Sequence, residues 1–333
     1  MNKSFFLLKF FFLILFCGQL TSANDLPEGN VFISNLIQLD NLFTHHVMVV
    51  EKSTHNFYLF KNDQGRPVLA KKFKIATGKS LGNKQVEGDH KTPEGIYHLT
   101  QFYSKDELFS RYKQEARIYG AGAFQISYPN IIDQLQGKTG GGIWLHSTDD
   151  DSRIDKKLES RGCVVVVDQD LKEISEHIDL RHTPIIIVQD LNFFKESTWK
   201  ISKDGLQGMV NSWLKSWQQK DFNRYISFYS EKNFKDKVRG RFSQFKNYKK
   251  SIFSRPDQPR IETSHLSILQ TQDYAVVHFV QDYRSNTIND KGKKTLYLMK
   301  DENYQWKIIA ELWSKLDKDL DYKFFPDNRF FKN

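Results

Sequence analysis

The chain has 333 residues, of which 39% are hydrophobic, 14% aromatic and 27% charged. That is enough apolar material for two domains with cores of their own, and it excludes a disordered or low-complexity chain. The formal net charge of +9 comes from scattered basic residues, not from a cluster, so a solvated basic surface is expected before a polyanion-binding patch.

Residues 1–23 read as an export signal. Lys3 and Lys9 open it, residues 10–16 form an apolar core, and Thr21-Ser22-Ala23 offers a small-residue cleavage site. The apolar run is too short to span a bilayer comfortably. Cleavage after Ala23 would remove Cys17, one of the two cysteines, and leave Cys163 alone in the periplasm. No intramolecular disulfide can then form, and a lone thiol in an oxidising compartment points to a working one. An exported basic chain seldom meets nucleic acid, so no nucleic-acid partner is expected; anionic cell-wall material suits the charge better.

Residues 24–45 form an N-terminal arm. Val31, Leu36, Leu39, Leu42 and Phe43 are spaced as one amphipathic helix. Such a helix must bury its face on its own domain or on a second copy as a homodimer, and packing on its own domain is favoured.

Strand-like runs follow. Residues 47–51 and 57–60 flank a polar turn and predict a hairpin; residues 68–77 predict another strand, and 79–94 a loop. Residues 96–102 return to strand. The charged, aromatic stretch 103–119 breaks the β pattern and predicts a helical insertion or lid. Residues 123–128 resume the sheet, and Gly140-Gly141-Gly142 leads into a strand at 143–146. The acidic run Asp149, Asp150, Asp151 and Asp155 lacks the glycine and terminal glutamate of a calcium loop and reads as solvated. Residues 163–167 are a strand. Asp168 is placed to cap a helix through Leu171, Ile174 and Ile178, and 184–188 closes a mainly β domain of sandwich or barrel type.

The chemistry concentrates between His146 and Cys163. A cysteine nucleophile needs a base, because a free thiol has a pKa of roughly 8.5. His146 is the candidate base, with Ser147 offering its carbonyl to fix the imidazole tautomer. Gly162 lets the backbone bend, so the amides of Gly162 and Cys163 are the candidate oxyanion donors. A thiol activated in this way would alkylate well below pH 8. Composition alone favours a small buried cysteine and a satisfied core histidine.

After a linker at residues 191–202 the pattern changes. Leu206, Met209, Val210, Trp213, Leu214 and Trp217 lie on one helical stripe. Two more helices follow, the first carrying Phe222, Tyr225, Ile226, Phe228 and Tyr229, the second Phe242, Phe245 and Phe253. Strands at 261–270, 274–283, 295–299 and 305–312 then predict an α+β unit.

Two resemblances sharpen this reading. Gly141-Gly142-Ile143-Trp144-Leu145-His146-Ser147, Ser160-Arg161-Gly162-Cys163, Lys91-Thr92-Pro93-Glu94-Gly95, and Tyr128-Pro129-Asn130 with Asp133 resemble the YkuD family of L,D-transpeptidases over about residues 46–190. The resemblance implies a mainly β catalytic domain, catalytic roles for Cys163, His146, Ser147 and Gly162, and no metal or cofactor. That family usually has histidine at the place of Arg161, and arginine two residues after the cysteine, where this chain has Val165. Arg161 is the candidate replacement for that charge, and Trp144 and Ser160 join it as candidate substrate contacts.

Residues 203–333, through Trp213 with Trp217 and Trp306-Lys307-Ile308-Ile309, resemble the cone-shaped nuclear-transport-factor-two-like fold. The pairing resembles the cell-shape-determining L,D-carboxypeptidases of helical bacteria. On that resemblance the partners are peptidoglycan stem peptides (muropeptides). Three functions stay open: a carboxypeptidase, a transpeptidase, and an inactive wall-binding protein.

Overall fold

The computed structural model describes residues 31–331. The export signal predicted for residues 1–23 lies outside the described residues, as does the start of the arm. Among the described residues no helix is long and apolar enough to cross a membrane.

The N-terminal half is built on one mixed eight-stranded sheet. Its order is Val164–Val165, Trp144–His146, Gly122–Ile126, Gly95–Ser104, Pro184–Val188, His46–Glu51, Asn56–Asp63 and Arg66–Lys74. The sheet curls back on itself. Ala76, just past the last strand in that order, bridges to Val165 in the first, and Thr77–Gly78 pairs with Leu158–Ser160. This closure makes the sheet barrel-like and brings the segment after His146 beside the loop that carries Cys163. The core alternates as strands require: Leu145, Val164 and Val166 join Met48, Phe57, Leu99 and Ile185 inside, while Trp144, His146, Cys163 and Val165 face the other way.

The 103–119 insertion is helical. Residues Lys105–Tyr112 form a helix opened by a capping box, in which the Ser104 hydroxyl accepts from the Glu107 amide and the Glu107 carboxylate accepts from the Ser104 amide. Lys113–Tyr119 continues it as a 3-10 turn.

The C-terminal half follows the predicted order. Helices Glu196–Gln218, Phe222–Ser227 and Phe242–Phe253 pack on strands Arg260–Gln270, Tyr274–Arg284, Asn289–Lys300 and Trp306–Lys315. The segment expected as a linker, 191–202, is instead structured. It holds the short strand Phe193–Lys195 and the start of the first helix, where Trp199 is buried and donates to the Leu36 carbonyl at 2.9 Å.

From residue 31 onward the arm is not a helix. Residues Val31–Ile33 pair with Phe193–Lys195, and Leu36–Gln38 adds a fifth strand to the C-terminal sheet beside Arg260–Gln270. Backbone donors satisfied by partners far along the chain outweigh the weak helical preference of so short a segment. Leu36, Leu39, Leu42 and Phe43 are all buried within their own chain.

The halves are joined by a shared apolar layer that includes Leu36, Val49, Ile96, Ile132, Ile186, Leu269, Tyr274 and Ile309. The Tyr274 hydroxyl accepts from the Ile96 amide at 2.6 Å and from Asn130 at 3.1 Å, so polar groups across the seam are satisfied as well. The C-terminal residues then run back over the N-terminal half. Phe324 stacks on His45 with ring centres 3.8 Å apart, His182 meets Asp317 at 3.1 Å, and Phe330 and Phe331 pack on Phe102.

Candidate active site

Cys163 ends the tight loop before strand Val164–Val165. That strand runs parallel to Trp144–His146, with Val165 opposite His146. Two residues back on each strand is the same face, so Cys163 and His146 sit as diagonal neighbours on adjacent strands. Sequence reasoning paired them through a motif; the strand register explains the pairing.

His146 is buried and its Nδ1 lies 2.6 Å from the Ser147 carbonyl. A carbonyl only accepts, so Nδ1 carries the proton and Nε2 keeps its lone pair. The Ser147 backbone carbonyl is thus the acceptor that fixes this tautomer. Its hydroxyl also accepts from the Ala121 amide at 2.8 Å and donates to the Tyr119 carbonyl at 3.3 Å. These bonds tie the aromatic insertion to the histidine strand. Asp168 adds to the tie, since it accepts from the same Ala121 amide at 2.8 Å. It is therefore not the helix cap that was expected; Val167 occupies that position without a side-chain bond.

The loop before the cysteine is braced by Ser160. Its hydroxyl accepts from the Gly162 amide at 3.0 Å and donates to the Cys163 carbonyl at 2.7 Å. Two expectations change here. Ser160 is buried inside the loop and is not an open substrate contact. The Gly162 amide is already engaged and does not point at an oxyanion. The Cys163 amide, for which no backbone partner is found among the described residues, is the remaining candidate donor. Gly162 is required for another reason: its φ is +122°, and a Cβ there would come within 2.8 Å of the Lys91 carbonyl.

Trp144 forms the wall of the site. Its ring lies 5.0 Å from Tyr119 and 5.3 Å from Tyr103, and Tyr119 stands edge-on to His146 at 5.0 Å. Arg161 is exposed, and its charge acts on the Tyr119 hydroxyl. Val165 packs with Ala76 and Ile154, filling the place of the expected arginine with apolar contact. The arginine whose charge reaches both His146 and Cys163 is Arg153. It sits in the polar run read as solvated, and it donates to the Ile118 carbonyl at 2.8 Å and to the Thr148 hydroxyl at 3.2 Å. No sequence signal marked it, because its Ile118 partner lies on the insertion.

Burial sets the resting protonation state. It pushes the His146 imidazole down to about 4, against the Ser147 carbonyl, with Arg153 adding to the fall. It pushes the Cys163 thiol up to about 11, only partly offset by the Trp144 amide and the charges of Arg153 and Lys84. Both shifts favour the neutral forms at rest over a preformed thiolate–imidazolium pair. The Cys163 thiol also reaches the Gly142 carbonyl at 3.7 Å. The direction of these shifts runs against the expected alkylation well below pH 8. Iodoacetamide labelling of Cys163, followed by peptide mass spectrometry, should accelerate only as pH rises beyond the roughly 8.5 of a free thiol. A labelling midpoint below pH 7 would show that an ion pair exists at rest.

Both halves have relatives among known proteins. Residues 45–187 match the L,D-transpeptidase catalytic domain (YkuD), and residues 205–312 match the Cds6 C-terminal NTF2-like domain. The solved structure of Bdellovibrio bacteriovorus Bd1075 is 31% identical, covers 87% of this chain and 100% of its own, and superposes with a TM-score of 0.75. The helical cell shape determining protein Pgp2 of Campylobacter jejuni is 30% identical, covers 85% of this chain and 96% of its own, with a TM-score of 0.68. YafK of Escherichia coli (strain K12), classed by name with the L,D-transpeptidases, is 27% identical over 128 residues; that match spans 38% of this chain and 44% of YafK. With both domains matched in this order and two solved structures similar along most of its length, the chain belongs to the family that joins a YkuD L,D-transpeptidase catalytic domain to a C-terminal NTF2-like domain.

Proposed function

We propose that this protein is a periplasmic peptidoglycan L,D-carboxypeptidase that removes terminal D-alanine from tetrapeptide stems. The observation that carries the reading is the His146 tautomer: the 2.6 Å bond to the Ser147 carbonyl leaves Nε2 free on the face shared with Cys163. As the sulfur attacks the carbonyl at the L-centre of the diamino acid, Nε2 takes the thiol proton. The Cys163 amide steadies the oxyanion. The tetrahedral intermediate collapses, the C–N bond breaks, and the imidazolium gives its proton to the departing D-alanine amine. Water then attacks the thioester with His146 as base again, and the tripeptide and free thiol are released. A neutral resting pair suits this sequence, since the proton moves only as the bond forms.

Water is favoured as acceptor by Val165, which removes the arginine that helps hold substrate in the family, and by the likeness to Pgp2, described as a helical cell shape determining protein. The amine of a neighbouring stem is the second reading, favoured by the catalytic-domain family, which is named for transpeptidases. Mass spectrometry of a disaccharide-tetrapeptide incubated with the protein separates them. Loss of one alanine, absent with Cys163→Ala, supports the carboxypeptidase. Cross-linked dimers or exchange of the last residue support the transpeptidase. No change with either protein leaves a wall-binding role without catalysis.

A further inference from the structure

Between His146 and Cys163 lies a short helix, Ser152–Asp155, whose side chains the reaction proposed above does not use. Its Ile154 packs with Ala76 and Val165, which seats the helix beside the strand that neighbours His146. The adjacent residue, Arg153, reaches instead toward the aromatic insertion.

The Arg153 guanidinium joins three segments. Its Nη1 donates to the Ile118 carbonyl at 2.8 Å and to the Thr148 hydroxyl at 3.2 Å, and its Nε faces the Glu159 carboxylate at 3.6 Å. Ile118 lies in the last turn of the insertion, Thr148 is two residues after His146, and Glu159 precedes Ser160, the brace of the cysteine loop. The Arg153 side chain is only 13% exposed and Thr148 is buried, so these charge-assisted bonds are shielded from water.

The residue after Ile118 is Tyr119, whose ring stands edge-on to His146 at 5.0 Å and packs in the cluster that Cys163 joins. A planar guanidinium with donors in a fixed fork sets position as well as charge. It therefore governs where Tyr119 stands relative to both reacting side chains. The charge acts too. Burial is the largest influence on His146 and Cys163, followed by a local backbone bond, and then Arg153 lowers both, with Lys84 joining it at Cys163. A cation here works against an imidazolium and in favour of a thiolate. Glu159 and Asp150 are the acids that feel this cation.

We propose that Arg153 is a positioning residue for the chemistry at Cys163: it locks the aromatic insertion to the segment after His146 and to the segment before Cys163, and so holds Tyr119 in register with both. Its effect on turnover rests on the reading proposed above. Its effects on thiol labelling and on the mobility of the insertion do not.

The test compares the full chain with Arg153→Met, Arg153→Lys and Lys156→Met, the last removing an exposed charge from the same run. Three quantities are read: iodoacetamide labelling of Cys163 against pH, amide hydrogen exchange of residues 113–121, and kcat and KM for alanine release from a disaccharide-tetrapeptide. In Arg153→Met the labelling profile should move to higher pH, with the rate at pH 8 lower by roughly threefold or more. Exchange should be faster by roughly tenfold or more. The kcat should fall by roughly tenfold or more, with KM within about threefold of native. Arg153→Lys keeps the charge and loses the fork, so labelling should stay near native while exchange rises and kcat falls. Lys156→Met should match the native protein throughout.

Native labelling and exchange in Arg153→Met would overturn the proposal. So would a raised KM at unchanged kcat, which would make Arg153 a substrate contact, or an equal displacement of the labelling profile in Lys156→Met. If Arg153→Met does not fold, Arg153→Lys decides, and native exchange in that variant would overturn the proposal. Absence of alanine release from the native protein would count against the carboxypeptidase reading alone, with labelling and exchange still deciding the role of Arg153.

Discussion

Exchange of His146 for alanine should slow the proposed release of terminal alanine by about 10³-fold or more, and Cys163→Ala should abolish it. The reason is the resting state. With the thiol raised to about 11, only a minute fraction is thiolate at neutral pH, so the sulfur depends on a base that removes its proton during attack. Among the described residues, His146 is the imidazole on the site face of the strand beside Cys163. A preformed ion pair would make the loss of His146 visible already in alkylation at pH 7. A neutral pair predicts instead a large loss of turnover with little change in alkylation at that pH. Both variants should keep the native melting profile, because the His146 ring is buried on the site face and outside the apolar core. Alanine release by His146→Ala within tenfold of the native rate would remove His146 from the role.

The candidate pair of Cys163 and His146 was legible because its signal is local. A glycine, a cysteine and an apolar strand are adjacent in sequence, and strand alternation alone predicts that His146 and Cys163 face one way while Leu145 and Val164 face the other. The C-terminal half was legible for a similar reason: long amphipathic helices and strands of ten or more residues carry their period openly. The arm was not. Its strands have three residues each, too few to show alternation, and its apolar residues fall by chance at helical spacing. Its true partners, the strand at Phe193–Lys195 and the sheet edge at Arg260–Gln270, lie beyond any local window.

The site details that escaped were those set by non-local hydrogen bonds. Arg153 looked like one more charge in an acidic run until the insertion brought the Ile118 carbonyl to it. The Gly162 amide looked free until the Ser160 hydroxyl turned inward. In each case the residue type was visible and its partner was not. The corrections also point one way. Ser160, Ser147, Asp168 and Arg153 all act on the backbone around Cys163 and the aromatic insertion, so the polar groups near the site hold its shape while few remain open for substrate. Of the candidate substrate contacts, Arg161 is then the exposed one, and it is the one proposed to meet a stem peptide.

Acidification should open the seam between the two halves. His45, His46 and His98 are each lowered from 6.5 to about 3, and His177, His182 and His278 are lowered too, burial being the largest cause in every case. These rings crowd together: His46 lies 4.7 Å from His177 and His98 lies 5.6 Å from His278, with the ammonium groups of Lys293 and Lys318 nearby. Asp179 and Asp317 are the acids that face them, at 3.7 Å from His45 and 3.1 Å from His182. The folded protein holds these histidines neutral, whereas the unfolded chain protonates them below about 6.5. The unfolded state therefore binds more protons across the window from about 6.5 down to about 3, and stability present above that window is lost as pH falls through it. The melting temperature should drop by roughly 10 °C or more between pH 7 and pH 5, with the C-terminal residues that stack Phe324 on His45 released first. A double variant, His45→Gln with His98→Gln, should flatten part of that slope while leaving the neutral-pH reaction at Cys163 in place. A melting temperature constant from pH 7 to pH 5 would mean that the folded seam accepts protons as readily as the unfolded chain, and that the acids beside it compensate the charge in full.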